Sequence, residues 1–263
     1  MKHAKKSNLH RSLHFLMVLC AAGLLCSAFL LLYEHWEYAQ GDAAYRQLRR
    51  ISGSAAVQTG APAQPAGKAA AEEKQNQQGI DFLSLKKINP DVVAWITSAG
   101  TEIDYPVVQG KDNAYYLRHL FTGARNKLGS IFMDSRNHGD FSDRNTILYG
   151  HNMKDGSMFA SLAKYKDQSY YDSFPAMALN TPGGDFQIEL FAGILVDGNQ
   201  DSVRVDFKND RDFQSYIDSL KKASAFRSNT VVKSNDRVLT LCTCSDAFQN
   251  ARYALFGKLT PVP

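Results

Sequence analysis

The sequence predicts a mainly β domain, a sandwich or closed barrel of about eight strands, held behind an apolar N-terminal segment and a flexible tether. Three observations predict it. Beyond residue 90 the chain breaks into short alternating or β-branched runs separated by turn residues. Residues 53–78 are rich in Ala, Gln, Gly and Pro, and their one bulky aliphatic side chain is Val57. Residues 12–33 contain no Asp, Glu, Lys or Arg.

The apolar run has about the 20 residues needed to cross a hydrocarbon core of roughly 30 Å. Lys2, Lys5, Lys6 and Arg11 precede it, and Glu34 and Glu37 follow. The basic tail, 1–11, is expected in the cytoplasm and the C-terminal bulk outside the cell, the arrangement of a single-pass membrane protein. Tyr33, Trp36 and Tyr38 suit the far interface. The alternative is a cleaved signal peptide. Its h-region would run roughly 7–15 residues and end at a small-x-small site, whereas this run is longer and no convincing site follows. Cys20 and Cys26 each follow Leu, which argues against a lipid anchor. Residues 12–33 are therefore read as a retained anchor, 34–78 as stalk and flexible linker, and 79–263 as the folded extracellular domain.

Charge supports that division. The first 78 residues carry nine Lys or Arg and five Asp or Glu, and the remaining 185 carry 21 of each, so the whole net charge of +4 precedes the domain. A nucleic-acid-binding domain would hold its basic excess on the folded part, so no nucleic acid partner is expected. Of four cysteines, Cys20 and Cys26 lie in the apolar run and read as small hydrophobes. Cys242 and Cys244 remain in the exported part, with no disulfide framework around them, and a lone pair of thiols near the C-terminus suggests chemistry.

Within the domain, apolar residues at 82, 83, 85 and 88 predict a short helix, and Asn89-Pro90 suits the cap and first position of a second. Strands are expected at 94–96, 104–108, 130–133, 146–149, 185–196, 231–233, 238–244 and 253–260, with a turn at Pro182-Gly-Gly. Residues 156–164 offer another short helix. In 206–226, Phe213, Ile217, Leu220 and Ala223 recur at helical spacing, an amphipathic helix lying on the barrel. Plain packing and the wall of a substrate groove are both open readings of it.

Strand alternation puts Thr240, Cys242 and Cys244 on one face, and Cys244 ends the apolar run beside a polar loop. A thiol near pKa 8.5 is only slightly ionised at neutral pH, so a nucleophilic Cys244 needs a proton acceptor or a positive neighbour. His3, His10, His14 and His35 lie in or beside the anchor. His119 sits in an aromatic run where packing is the simpler account, and His138 lies in a polar loop as a solvated residue. His151 follows the strand Thr146-Ile-Leu-Tyr and Gly150, at a sheet rim; a functional and a turn role both remain open for it. Arg252 opens the last strand eight residues after Cys244. If 246–251 forms a hairpin-like connection, Arg252 returns beside Cys244 and can donate to an oxygen that gains charge in acyl transfer. A strand-edge salt bridge is the alternative.

Thr240-Leu-Cys-Thr-Cys244, Arg252 downstream and Leu148-Tyr-Gly-His151-Asn upstream together resemble sortases. The stretch from Lys87, with Glu102-Ile-Asp-Tyr-Pro and Gly129-Ser-Ile-Phe-Met, is similar to class B. The resemblance implies an eight-stranded sortase-type β-barrel with N-terminal helices and a helix between the sixth and seventh strands, for which 206–226 is the counterpart. It implies a cysteine transpeptidase with Cys244 as nucleophile, His151 as proton-transfer partner and Arg252 as oxyanion stabiliser. The implied partners are secreted proteins bearing a C-terminal sorting signal, cleaved after Thr, and an amine from a peptidoglycan precursor or a pilin. No cofactor or metal is implied, and Cys-x-Cys with one His is a poor zinc set. A hydrolytic variant, a pilin-polymerising variant and an inactive surface-binding domain are the competing readings. Class B members often carry Ser where this chain has Cys242. Two Cα atoms that far apart on a strand lie near the upper limit for a disulfide, so Cys242 is read as a small replacement, with a strained oxidised form as the alternative.

Overall fold

The computed structural model describes residues 2–54, 79–197, 203–244 and 251–263; the side chains of residues 2–14 and of Cys244 lie outside that description. All but the first two residues of the tether expected at 53–78, and the connection at 245–250, also lie outside it. Two compact units are present, Met1–Ala43 and Ala44–Pro263. The first is helical, the greater part of a helix, α1, that spans Lys2–Ser52. By length and composition this helix is apolar enough to cross a membrane, with its most apolar window wholly exposed.

The second unit is a barrel. β1 (Val92–Thr97), β2 (Asp104–Val108), β3 (Ile131–Met133), β4 (Asn145–Tyr149), β5 (Ala176–Thr181), β6 (Gly184–Asp197), β7 (Arg237–Cys244) and β8 (Ala251–Pro261) close in the order β1-β2-β3-β4-β7-β8-β6-β5. β2 with β3 and β4 with β7 are parallel, and the other pairs are antiparallel. Apolar side chains on alternate strand positions fill the interior, among them Trp95, Val107, Ile131, Ile147, Leu179, Ile188, Leu241 and Leu255, all fully buried. The mainly β barrel with flanking helices is thus as expected.

Two strand assignments change. β5 was not expected, because Ala-Met-Ala-Leu-Asn-Thr lacks β-branched side chains until its end. It is a strand because β1 and β6 hydrogen-bond it on both sides. The Pro182-Gly183 turn joins it to β6, with Thr181 Oγ1 accepting from Gly183 N at 3.2 Å and donating to Gly184 O at 2.6 Å. Conversely, 231–233 is β-branched yet forms no strand: Val232 plugs an apolar cluster while Val231 stays exposed.

α2 (Phe82–Ile88) forms as the pattern indicates, with Asp81 accepting from Ser84 N at 3.0 Å. The second helix after Pro90 does not form. Asn89 accepts from Asp91 N at 2.9 Å and donates to Tyr116 OH and Phe121 O, turning the chain directly into β1. The helix expected at 156–164 is a 3-10 helix at Ala160–Lys166, followed by α3 (Gln168–Ser173).

α4 (Asp210–Ala223) lies between β6 and β7, capped by Asn209 and carrying Asp210 and Asp212 in its first turn and Lys221 and Lys222 in its last, signs that suit the helix dipole. Phe213, Tyr216, Ile217 and Leu220 bury its apolar face against Phe191, Ala192, Ala254 and Phe256 of β6 and β8. The last turns of α1, read from sequence as part of the stalk, belong to the barrel unit. Tyr45 and Leu48 are each 2% exposed, and Arg49 meets the buried Asp104 carboxylate at 3.4 Å.

Candidate active site

Backbone register brings the three candidate residues to one end of the barrel. β4 runs parallel to β7 with Tyr149 opposite Cys242, so His151 and Cys244 both lie just beyond that rung. β7 runs antiparallel to β8 with Cys244 opposite Arg252. A cavity of about 220 Å³ opens here. Among the described residues its lining is Asn113 and Leu117 from the β2–β3 connection, Phe132 of β3, Tyr149, Gly150 and His151 at the end of β4, Cys242 and Thr243 of β7, and Arg252 of β8. None of these comes from α4, whose apolar face is committed to packing.

Gly150 is required for the turn that presents His151. Its N donates to Cys242 O at 3.1 Å, extending the β4–β7 ladder by one rung. A Cβ at this position would stand 2.5 Å from Ile131 Cδ1 and 2.7 Å from Phe159 Cδ2, too close for any side chain. His151 Nε2 lies 2.7 Å from Leu117 O. A carbonyl only accepts, so Nε2 carries a proton and Nδ1 is the nitrogen that remains for proton exchange. The His151 carbonyl accepts from Phe159 N at 2.9 Å, closing the loop behind the ring.

Arg252 is partly buried, its guanidinium carbon 5.9 Å from the centre of the Tyr149 ring. Such a contact orients the cation without neutralising it. Tyr149 is itself pinned, donating to Asp134 Oδ2 at 3.0 Å. Arg136 grips the same carboxylate with Nε at 3.0 Å and Nη2 at 2.9 Å. Burial pushes the Asp134 carboxyl up, but hydrogen bonds led by those of the Arg136 side chain and backbone outweigh it and hold the group at about 2. Burial, then the Asp134 charge, pushes the Tyr149 phenol up, so it stays a donor. Thr243 Oγ1 is buried with no partner among the described residues, and Cys242 is buried on the cavity wall.

The other two histidines of the barrel unit lie elsewhere. His119 stacks on Tyr115 at 4.0 Å, and its Nδ1 donates to Tyr115 O at 2.7 Å. His138 is exposed, as a loop residue should be, yet it is bonded as well as solvated: its Nδ1 donates to Asp143 Oδ1 at 2.7 Å, which raises its pKa. Asp134, Arg136 and the Leu117 carbonyl escaped the sequence reading. Tyr149 was visible only as the residue that ends a strand before Gly-His.

A family model described as the Sortase domain matches residues 96–260. The chain is 40% identical over 195 residues to Sortase B of Listeria monocytogenes, covering 73% of this chain and 79% of that one. It is 41% identical over 183 residues to Sortase B of Staphylococcus aureus, covering 69% and 75%. Among solved structures, the Staphylococcus aureus sortase B-substrate complex superimposes with a TM-score of 0.73 at 33% identity, over 87% of this chain and 100% of that one.

Proposed function

The chain belongs to the sortase family, class B, whose members are cysteine transpeptidases, and on that premise we propose that it cleaves a C-terminal sorting signal of exported proteins after Thr and transfers the acyl group to a cell-wall precursor amine. One observation carries the assignment of roles: β-sheet register sets Cys244 opposite Arg252 and one step past the Tyr149–Cys242 rung that leads to His151.

In this reading the Cys244 thiolate attacks the Thr carbonyl carbon, forming a C–S bond and a tetrahedral oxyanion. Arg252, held over Tyr149, donates to that oxyanion as charge develops. When the C–N bond breaks, His151 gives a proton to the departing amine through Nδ1. The thioacyl group then meets an incoming amine, which loses a proton to His151 as Cys244 leaves as thiolate. α1 serves as the membrane anchor, with the N-terminus cytoplasmic and the barrel outside, so that substrates are met at the cell surface.

The test is cleavage of fluorogenic sorting-signal peptides by the full chain with and without an added amine. Cleavage that is lost in Cys244→Ala, with the amine joined to the Thr carboxyl in the product, supports the reading. Water as the sole acceptor at saturating amine would make the protein a peptidase, and undiminished cleavage by Cys244→Ala would remove Cys244 from the reaction.

A further inference from the structure

The atom that fixes the His151 ring is a backbone carbonyl, so whatever positions that carbonyl positions the imidazole. Leu117 O belongs to a short 3-10 turn, Tyr115–Leu117, in an otherwise irregular connection. The turn rests on Gly129 and Ser130. Ser130 N donates to Tyr116 O at 2.9 Å, and Ser130 Oγ donates to His119 O at 2.9 Å. Gly129 has φ +58°, and a Cβ there would stand 2.6 Å from Tyr116 O and 2.7 Å from Leu117 O, so its bare backbone packs directly on the carbonyl that receives His151. Gly129 is in turn held from behind by α1: Tyr45 OH donates to Gly129 O at 2.5 Å. Burial pushes the Tyr45 phenol up, so it remains a donor.

A second route runs from the same helix to the other side of His151. Tyr45 packs edge-on to Tyr105 at 5.2 Å, and the Arg49 guanidinium carbon lies 5.2 Å from the same ring. Arg49 Nε also donates to Asp104 O at 3.0 Å, fixing the strand that carries Tyr105. Tyr105 OH accepts from Met158 N at 3.0 Å. Met158 has φ +58°, a costly conformation for a side chain of its size, and it bridges to Asn152, the neighbour of His151. Phe159, next along, donates its N to His151 O. Both segments that hold the imidazole therefore end on the same two turns of α1.

We propose that the C-terminal turns of α1, through Tyr45 and the Tyr105 ring it shares with Arg49, are a positioning element of the active site that sets the Leu117 carbonyl and the Met158 turn on either side of His151. The proposal rests on His151 being the proton-transfer group. It assigns a catalytic consequence to a segment that by sequence belongs to the stalk.

The experiment uses the full chain in detergent micelles, with steady-state kinetics on a cleaved sorting-signal peptide and ¹⁵N NMR of histidine-labelled protein. Tyr45→Phe removes one hydroxyl and keeps the ring. It should lower kcat about tenfold with KM within about twofold, and the His151 Nε2–H signal should lose the shift expected of a proton bonded to a carbonyl. Tyr105→Phe removes the acceptor for Met158 N and should act in the same direction. Gln47→Ala, on the exposed side of the same helix, should change neither readout. His151→Gln, run in parallel, separates the two levels of the argument. If it leaves turnover intact, the catalytic role of His151 fails; if it abolishes turnover while both tyrosine variants match wild type in kcat and in the His151 signal, the positioning role alone fails. Should Tyr45→Phe not fold, Tyr105→Phe decides by the same two readouts.

Discussion

At the scale of single residues, the site depends on groups that hold other groups. Among the described residues Arg252 has no carboxylate partner; its guanidinium lies over Tyr149, whose hydroxyl is tied to Asp134. Arg252→Lys keeps the charge but loses the planar fork. Its kcat should fall about 100-fold, measured on a sorting-signal peptide, and a loss below fivefold would show that charge alone suffices. Tyr149→Leu removes the platform, worth about 0.5–1 kcal/mol at a partly exposed site, and should lower kcat/KM several-fold while Cys244 keeps its reactivity to a small alkylating reagent. Asp134 makes a prediction in pH. Its carboxyl is lowered from 3.8 to about 2, so its stabilisation is fully present above about 3.8 and is lost as pH falls through 2. In thermal melts, Asp134→Asn should flatten the stability curve between those two values; an unchanged slope would show that the Arg136 and Tyr149 bonds do not distinguish its charge states. His151, Cys244 and Arg252 drew notice as polar residues at strand ends, but each had an ordinary structural reading beside it, and the resemblance to sortases is what gave them catalytic roles; strand register brings their backbones to one end of the barrel. Leu117 and Gly129 were not legible in the sequence, because they act through backbone carbonyls, and any side chain can carry a carbonyl.

Among elements, tertiary pairing overrode composition in both directions. Ala176–Thr181 is a strand with little strand propensity because two neighbours complete its ladder, whereas the β-branched 231–233 has no ladder to join and sends Val232 into the cluster under α4. β2, β4, β7 and β8 were legible because their apolar runs match the burial pattern of a barrel wall. α4 was legible for the same reason at helical spacing, and the structure gives its apolar face to packing. Phe213→Ala should therefore cost about 3–5 kcal/mol of stability, read by denaturant melts, with KM for substrate little changed in the surviving folded fraction. A large KM effect at unchanged stability would make α4 a groove wall. Gly150→Ala tests the turn that presents His151: the added methyl has no room between Ile131 and Phe159. It should cost about 1–3 kcal/mol and suppress turnover more than it lowers the melting midpoint would explain.

At the scale of the whole molecule, the chain divides into an apolar helical unit and a barrel unit, and the boundary at Ala44 leaves the last turns of α1 with the barrel. Sequence composition drew that line later, at Gly79, because Tyr45, Leu48 and Arg49 are too few in 34–54 to suggest a packed face. If α1 is a retained anchor, the full chain should stay with the membrane fraction through alkaline carbonate extraction and be released by deletion of residues 1–33; extraction of the intact chain would point to a cleaved leader or a surface association instead. The central claim is that Cys244 forms a thioacyl intermediate that an amine resolves. The most direct measurement is intact-mass analysis of the full chain mixed with a sorting-signal peptide. An adduct of the peptide's acyl part is expected on Cys244, absent in Cys244→Ala and discharged by an added amine with the amine found in the product. An adduct that persists in Cys244→Ala, or one on Cys242, would contradict it.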